Sequence, residues 1–195
     1  MVHSNTPYGD YRFELKDEAV TAWESDTESH SGKVMEYRII NVPEAGTLPD
    51  VISASGIDPK SIINLKIVGE LTYTDFDYIR DNIKQLEALN LYECRIRNCE
   101  FEYNGIWEDD VMPSYALSGM SYLTDFVFPK HLKRIGAGAF DLTQLTGSLI
   151  IPEGVTHIGE WAFQSRLHQS EIENHLYGSL SLPSTLEYIG RGAFA

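Results

Sequence analysis

The sequence FVFPKHLKRIGAGAF at residues 126–140 returns as LIIPEGVTHIGEWAF at 149–163 and as LSLPSTLEYIGRGAF at 180–194. The three copies agree at a proline, an Ile-Gly pair and an Ala-Phe pair, and these landmarks step by 23 and then by 31 residues. A period in the twenties is typical of a solenoid, in which each repeat forms one coil. Because one coil cannot bury its apolar side alone, we expect stacked neighbours to complete the core.

Each copy predicts a short strand, a corner, a second strand and a turn. The first three residues alternate, so the outer two side chains share one face. Proline has no N–H to donate, and we expect it to end that strand. The glycine is expected to permit a turn that a Cβ would resist, and the phenylalanine is expected to enter the core. The glycines are Gly136, Gly159 and Gly190, and the phenylalanines are Phe140, Phe163 and Phe194.

The pattern φ-x-φ-P-x-x-φ-x-x-I-G-x-x-A-F resembles the BspA-like leucine-rich repeats of bacterial surface proteins, over residues 112–195. Residues 45–96 resemble the irregular N-terminal repeats of secreted proteins from gut Bacteroidetes. This resemblance implies a β-rich α/β repeat fold: a right-handed leucine-rich-repeat solenoid with short strands, turns and one or two N-terminal helices. It also implies a non-catalytic module for adhesion to, or recognition of, host or bacterial proteins or glycans.

The pattern divides the chain into an N-terminal strand or cap region at 1–44, irregular leucine-rich repeats with a helix at 45–111, and BspA-like repeats at 112–195. In the first part, residues 11–15 and 33–42 read as strands. The apolar run 19–23 is ambiguous, and 25–32 is a polar loop. A hairpin of these strands would cover the open edge of the first coil, whereas a partly ordered arm is the alternative.

The middle part predicts a repeat that contains a true helix. Residues 47–57 predict a short helix that ends at Gly56, and residues 65–68 predict a strand. Thr74 is expected to cap a longer helix, with Asp77 supplying the reciprocal carboxylate. The apolar stripe of that helix is Phe76, Ile79, Ile83 and Leu86.

A further strand is expected at 89–91, and the 24 residues from Leu65 to Leu89 make one solenoid step. Residues 97–111 break this rhythm and are interpreted as a loop. The segment from Met112 to Leu117 is then a degenerate copy of the repeat. Its Leu117 precedes Phe140 by 23 residues, so the register is kept.

The charge of the chain narrows the choice of partners. The 29 acidic and 15 basic side chains leave a formal net charge of −14. Residues 126–195 hold six acidic and five basic side chains, so the excess lies N-terminal to the regular repeats. A strongly acidic chain disfavours nucleic acids and anionic membranes as partners. No stretch approaches the length of a membrane span, and we expect no membrane insertion.

The resemblance implies an extracellular or cell-surface location. The opening MVHSNTPYGDYRFEL lacks the basic start and apolar run of a signal peptide. We therefore expect a mature or trimmed form, or a chain that is not exported. No polar capping coil follows Phe194, so a fragment, or a chain that ends inside its final coil, is also expected.

The two cysteines, Cys94 and Cys99, leave two interpretations open. A local disulfide is one of them if the protein is exported. A pair of buried free thiols is the other, and it is the one we favour. No histidine is spaced near them as a zinc site requires.

Eight extra residues are inserted within 165–174, and His168, Glu171, Glu173 and His175 lie in or beside this insertion. A metal site is one interpretation, and a solvated loop is the favoured one. Neither the acidic run 108–110 nor the pair Asp75 and Asp77 fits the spacing of a calcium loop. We expect no metal, no cofactor and no catalytic residue, since no nucleophile elbow, phosphate loop or dinucleotide fingerprint occurs.

The candidates for ligand binding are the variable outward residues of the coils. Stacking would align the outward pairs of the second strands, which are Lys133 and Arg134, Thr156 and His157, and Glu187 and Tyr188. Val127, Ile150 and Ser181 would form another stripe on the first strands. Trp161 replaces a glycine of the other copies, and its ring is either an anchor for a partner or lies on the next coil. The candidate ligand-binding residues are Lys133, Arg134, His157, Trp161, Glu187 and Tyr188.

Three functions are consistent with these patterns. The first is a monomeric binding module whose partner is a protein or glycan ligand on a host or bacterial surface. The second is a structural spacer or scaffold domain within a larger surface protein. The third, part of an enzyme, is the least favoured because no catalytic constellation is visible.

Overall fold

The computed structural model describes residues 36–101, 105–164 and 178–195 in full, together with the backbone of residues 4–6, 9–16, 19–25 and 35. Within this part of the chain, short strands alternate with turns, and two α-helices lie near the N-terminal side. The helices are α1 (Leu48–Ser55) and α2 (Tyr73–Asn82), with a 3-10 helix at Pro59–Ser61. The strands are β1 (Ser4–Thr6), β2 (Gly9–Lys16), β3 (Ala19–Ser25), β4 (Met35–Val42), β5 (Asn64–Leu71), β6 (Ala88–Asn90), β7 (Cys94–Ile96), β8 (Cys99–Glu100), β9 (Trp107–Glu108), β10 (Val111–Met112), β11 (Asp125–Val127), β12 (Arg134–Ile135), β13 (Leu149–Ile150), β14 (His157–Ile158), β15 (Leu180–Ser181) and β16 (Tyr188–Ile189).

The largest sheet changes from antiparallel to parallel pairing along its length. Strands β1 to β4 form an antiparallel meander, and β4, β5, β6 and β11 then pair in parallel. The ambiguous run at 19–23 is part of β3, which lies between the two strands expected to pair with each other. The N-terminal strands therefore extend the sheet through three antiparallel pairings rather than through one hairpin.

The two helices connect the parallel strands, and a buried carboxylate joins their N-terminal ends. The first helix ends at Gly56 in the left-handed conformation, as expected. The cap predicted for the second helix is wrong by two residues, because Thr72 and Asp75 form the capping box. Asp75 is fully buried. Its carboxylate also accepts from the Gly46 amide at 2.6 Å and from the Leu48 amide at 3.1 Å, so it fixes both helix starts at once.

The apolar stripe predicted for this helix is confirmed as part of the core. Its four residues, Phe76, Ile79, Ile83 and Leu86, are all fully buried, although the last two lie beyond the helix end. They share one cluster with Leu65, Leu89 and the apolar residues of the later coils. One continuous core therefore runs from the helical repeat into the regular repeats.

The regular repeats stack as parallel coils in the register that the spacing predicts. Strands β10, β12, β14 and β16 form one parallel sheet, and the register pairs Val111 with Arg134, Arg134 with His157 and His157 with Tyr188. Strands β13 and β15 form a second parallel pair. The segment interpreted as a loop holds more order than expected, because β8 and β9 pair as an antiparallel hairpin.

The repeat phenylalanines form a stacked column inside the coils. The rings of Phe140 and Phe163 stack with centroids 5.0 Å apart, and those of Phe163 and Phe194 stack at 5.4 Å. Leu117 takes the corresponding place in the preceding coil, since its amide donates to the carbonyl of Ala139. The prediction that these rings enter a shared core is confirmed.

The repeat glycines are needed for close approach of the backbone and not for a turn, so that prediction is wrong. Gly136, Gly159 and Gly190 do not have a positive φ. A Cβ added to Gly159 would lie 2.5 Å from the Ala137 nitrogen, and one added to Gly136 would lie 2.5 Å from the Ser114 nitrogen. Any side chain at these positions would therefore push neighbouring coils apart.

The last coil exposes apolar residues that its predecessor buries. Leu149 and Ile158 are 7% and 0% exposed, whereas the equivalent Leu180 and Ile189 are 48% and 45% exposed. The difference follows from stacking, because among the described residues the last coil contacts a coil on one side alone.

Replacing Gly159 with alanine is expected to lower the free energy of unfolding by about 3 kcal/mol, because the added methyl group meets backbone atoms of the preceding coil. The matched control is Gly119→Ala, where φ is +75° and nothing lies within 4 Å of the added Cβ. Backbone strain alone should cost that variant about 1 kcal/mol. Urea unfolding followed by circular dichroism measures both values. A loss in Gly159→Ala no larger than in Gly119→Ala would contradict the close-packing account.

Candidate binding face of the repeat coils

Three of the predicted ligand-binding residues lie side by side on the sheet of second strands. Arg134, His157 and Tyr188 occupy matching positions of β12, β14 and β16, and we call them the outer row. The rings of His157 and Tyr188 lie 5.8 Å apart. Because adjacent parallel strands each contribute one residue, a guanidinium, an imidazole and a phenol lie in a line along the solenoid.

Phe101 joins this row from the irregular region, and the sequence analysis did not identify it. The Arg134 guanidinium lies over the Phe101 ring at 5.4 Å, and the His157 ring meets that ring edge-on at 5.9 Å. Phe101 itself is 5% exposed. It therefore supports the row from beneath and holds Arg134 through a cation–π contact.

The neighbouring candidates Lys133 and Glu187 lie one residue before the outer row. Lys133 pairs with Asp110 at 3.4 Å while its side chain stays 59% exposed. Glu187 is exposed, and its backbone amide donates to the carbonyl of Thr156 in the coil before. Both side chains are therefore exposed next to the row.

Trp161 does not belong to the outer row, because its ring lies against the next coil. A Cβ added to Gly192 would lie 2.7 Å from Cδ1 of the Trp161 ring. Tyr115 has the same relation to Gly138, where the corresponding distance to its ring is 2.5 Å. Each aromatic ring thus covers a glycine of the following coil. Trp161 keeps 38% of its surface exposed, but its position indicates a packing role.

The second expected stripe, on the first strands, is not a uniform surface. Ile150 is 38% exposed and Ser181 is also exposed, whereas Val127 is buried. Val127 pairs in register with Asn90, which is fully buried. The prediction of an outward residue is therefore wrong at Val127.

Each carboxylate of the acidic run at 108–110 forms an ion pair with a basic side chain. Glu108 pairs with Arg134 at 3.5 Å, Asp109 with Arg97 at 2.8 Å, and Asp110 with Arg95 at 2.9 Å. The Asn98 amide and the Arg97 guanidinium hold the pKa of Asp109 below its ordinary value. These ion pairs tie the hairpin region to the coils on both sides of it.

Among the described residues, no group of three or more His, Cys, Asp or Glu side chains is placed to hold a metal ion. The expected cluster of His168, Glu171, Glu173 and His175 lies outside the described residues, as does the whole of the insertion. Asp77 of the other acidic pair contacts Arg80 at 2.7 Å. No helix among the described residues has the length and hydropathy of a membrane span.

Both cysteines are free and buried, in agreement with the favoured interpretation. Burial raises the pKa of the Cys94 thiol well above its ordinary range. Burial likewise raises the pKa of Cys99 to about 12, against a smaller opposing effect of the Thr72 hydroxyl. Neither thiol therefore has the depressed pKa of a reactive cysteine.

Comparison with known families agrees with this architecture. A family model described as the BspA-type leucine-rich repeat region, with six copies, matches residues 70–170. The chain belongs to the BspA-type leucine-rich-repeat family. The match includes the irregular coils between residues 70 and 111, which the regular pattern alone does not reveal. No curated protein matched the chain. BspA-type domains are typically non-catalytic repeat modules and are commonly found in surface proteins.

The native protein is expected to leave both thiols unreacted with Ellman's reagent at pH 8, because raised pKa values and burial remove the reactive thiolate. Unfolding in guanidinium should release two reactive thiols per chain, and this serves as the control. Since both pKa values are raised in the folded state, protection should weaken only as the pH rises well above about 9. Rapid reaction of either thiol in the folded protein at pH 8 would contradict the described packing.

Proposed function

We propose that this protein is a non-catalytic binding module of a bacterial surface, which adheres to or recognises host or bacterial proteins or glycans. The observation that supports this function is the outer row, in which Arg134, His157 and Tyr188 stand in register on adjacent coils. Arginine and tyrosine are enriched in the parts of interfaces that contribute most binding energy. Binding therefore takes place on an extended rigid face.

The geometry of the row favours a ligand that spans several coils. The backbone of each coil is bonded to its neighbour, so side chains on successive strands keep a fixed spacing of about 4.8 Å. Little conformational freedom of the backbone remains to be lost on binding, which favours affinity. Lys133 and Glu187 add exposed charges of opposite sign at the two ends of the row. A partner with a complementary charge pattern fits this surface.

The handedness of the solenoid is inferred from the connections between its parallel strands. Helices α1 and α2 connect neighbouring parallel strands of one sheet. Such crossovers are right-handed in nearly all proteins, which supports a right-handed solenoid. The module acts as a monomer outside the cell and uses no cofactor.

A spacer or scaffold domain is the second candidate function, and one observation favours it. Lys133 and Arg134 are already paired with Asp110 and Glu108 within the chain. Residues that stabilise neighbouring coils by such contacts need no external ligand. A spacer would tolerate changes in the outer row as long as the coils remain stacked.

A glycan and matrix-protein array with the purified domain tests the proposal. Saturable binding should weaken at least about tenfold in the double variant His157→Ala with Tyr188→Ala, because both planar groups of the row are removed. The matched control is Tyr122→Ala, which removes an aromatic ring that is 55% exposed but lies outside the row. It should bind like the parent protein, and thermal unfolding should verify that both variants fold.

Absence of saturable binding to every surface on the array would contradict the binding module and support the spacer. Binding that survives the double variant would contradict the outer row as its site. Catalytic turnover of an arrayed ligand would overturn the non-catalytic part of the proposal.

A further inference from the structure

A cleft lies away from the outer row, between helix α2, the β8–β9 hairpin and the coil that follows it. Its volume is about 230 Å³. Phe76 and Pro113 form a buried apolar floor, and Tyr73 and Trp107 form part of the wall. Pockets for drug-sized molecules usually begin at about 300 Å³. The cleft therefore suits one side chain rather than a complete small molecule.

Two exposed aromatic rings frame the opening of the cleft. Tyr73 and Trp107 are 43% and 48% exposed, and their ring centroids lie 5.6 Å apart at an interplanar angle of 63°. Tyr73 belongs to α2, and Trp107 belongs to strand β9 of the hairpin. Aromatic faces attract cations, and tryptophan does so most strongly.

Two carboxylates make the cleft electronegative. Asp77 and Glu100 line it, and none of the other described residues that line it is a lysine, arginine or histidine. One oxygen of Asp77 accepts from Arg80, and one oxygen of Glu100 accepts from the Gly105 amide. Within the described part of the chain, the second oxygen of each carboxylate accepts no hydrogen bond.

Arg80 positions Asp77 without neutralising the cleft. Its guanidinium donates hydrogen bonds to the Tyr115 carbonyl, at 3.1 Å, and to the Asp77 carboxylate. Its Nε also lies 3.5 Å from Oδ1 of Asp81. Arg80 therefore meets two carboxylates, Asp77 and Asp81, while Glu100 forms no ion pair within the described part of the chain. The N-terminal two-thirds of the chain is also the strongly acidic part, which attracts basic partners over a longer range.

We propose that this cleft is a receptor for one arginine side chain of a partner protein, with the guanidinium stacked on the Trp107 ring beside Tyr73 and its N–H groups donating to Asp77 and Glu100. Guanidinium combines the planar face that stacks on aromatic rings with a fork of donors that suits carboxylates. Lysine offers a compact ammonium without that planar face. Within the described part of the chain, Asp77 is paired with Arg80, so a neutral ligand would leave Glu100 without a charged partner.

The test follows the indole N–H signals of Trp23, Trp107 and Trp161 by NMR, assigned with a Trp107→Phe variant. The probe is Nα-acetyl-arginine methylamide. The Trp107 signal should shift saturably, with a dissociation constant on the order of 1 mM for a single side chain. The citrulline analogue, which is neutral but similar in shape, should bind at least about tenfold more weakly, and the lysine analogue several-fold more weakly.

Paired variants separate the cleft from general electrostatics. Asp77→Asn with Glu100→Gln should weaken binding of the arginine probe at least about tenfold. Glu44→Gln with Asp58→Asn makes the same change in net charge at exposed residues that do not line the cleft, and should leave affinity within about twofold. Equal loss in both pairs would overturn the assignment to the cleft.

Free L-arginine distinguishes a side chain of a protein from a free amino acid as the source of the guanidinium. Its α-ammonium and α-carboxylate cancel in net charge, and the proposal assigns no group of the cleft to either, so it should bind no more tightly than the blocked probe. Tighter binding of free L-arginine would contradict the proposal.

A shift of the Trp107 signal by methyl glucoside but not by the arginine probe would overturn it in favour of a sugar site. No saturable shift with any probe would also overturn it. These outcomes do not depend on the outer row.

Discussion

The amides of Gly136, Gly159 and Gly190 each donate a hydrogen bond to a carbonyl of the preceding coil, at 2.9, 2.7 and 2.7 Å. These bonds bring adjacent backbones so close that a Cβ at the glycine would overlap the coil below. The same separation sets the distance between the phenylalanine rings of successive coils, which stack in the core. The spacing and register of the outer row on the opposite side of the strands follow from this one constraint.

Close stacking also explains which residues at variable positions are free to serve a ligand. Tyr115 and Trp161 fill space above Gly138 and Gly192, so the size of a residue in one coil is matched to that in the next. All four residues are in the left-handed conformation, with φ between 53° and 64°. Variation at this position therefore reflects packing between neighbours. In the outer row, Arg134 and His157 contact Phe101, and Tyr188 stays 43% exposed, which leaves this row as the candidate for recognition.

Much of this architecture could be predicted from the spacing of the repeat landmarks, because a constant period puts equivalent residues of stacked coils side by side. Where two local patterns fitted the sequence equally well, contacts with residues distant in the sequence decided between them. Thr72 with Asp75 and Thr74 with Asp77 both fit the capping pattern, and the amides of Gly46 and Leu48 select the first pair. Phe101 and the cleft were missed because residues 97–111 carry no repeat landmark. The role of the repeat glycines was misread because sequence does not report φ or the distance to the next coil.

Native-state hydrogen exchange of the three repeat-glycine amides tests the stacking of the coils most directly. The account predicts that the amides of Gly136 and Gly159 exchange only when coils separate, with strong protection. Gly190 should be less protected, because its coil has a described neighbour on one side alone and opens more readily. Exchange of all three amides at the rates of an unstructured chain would contradict the account, since no hydrogen bond between coils would then hold the repeats in register.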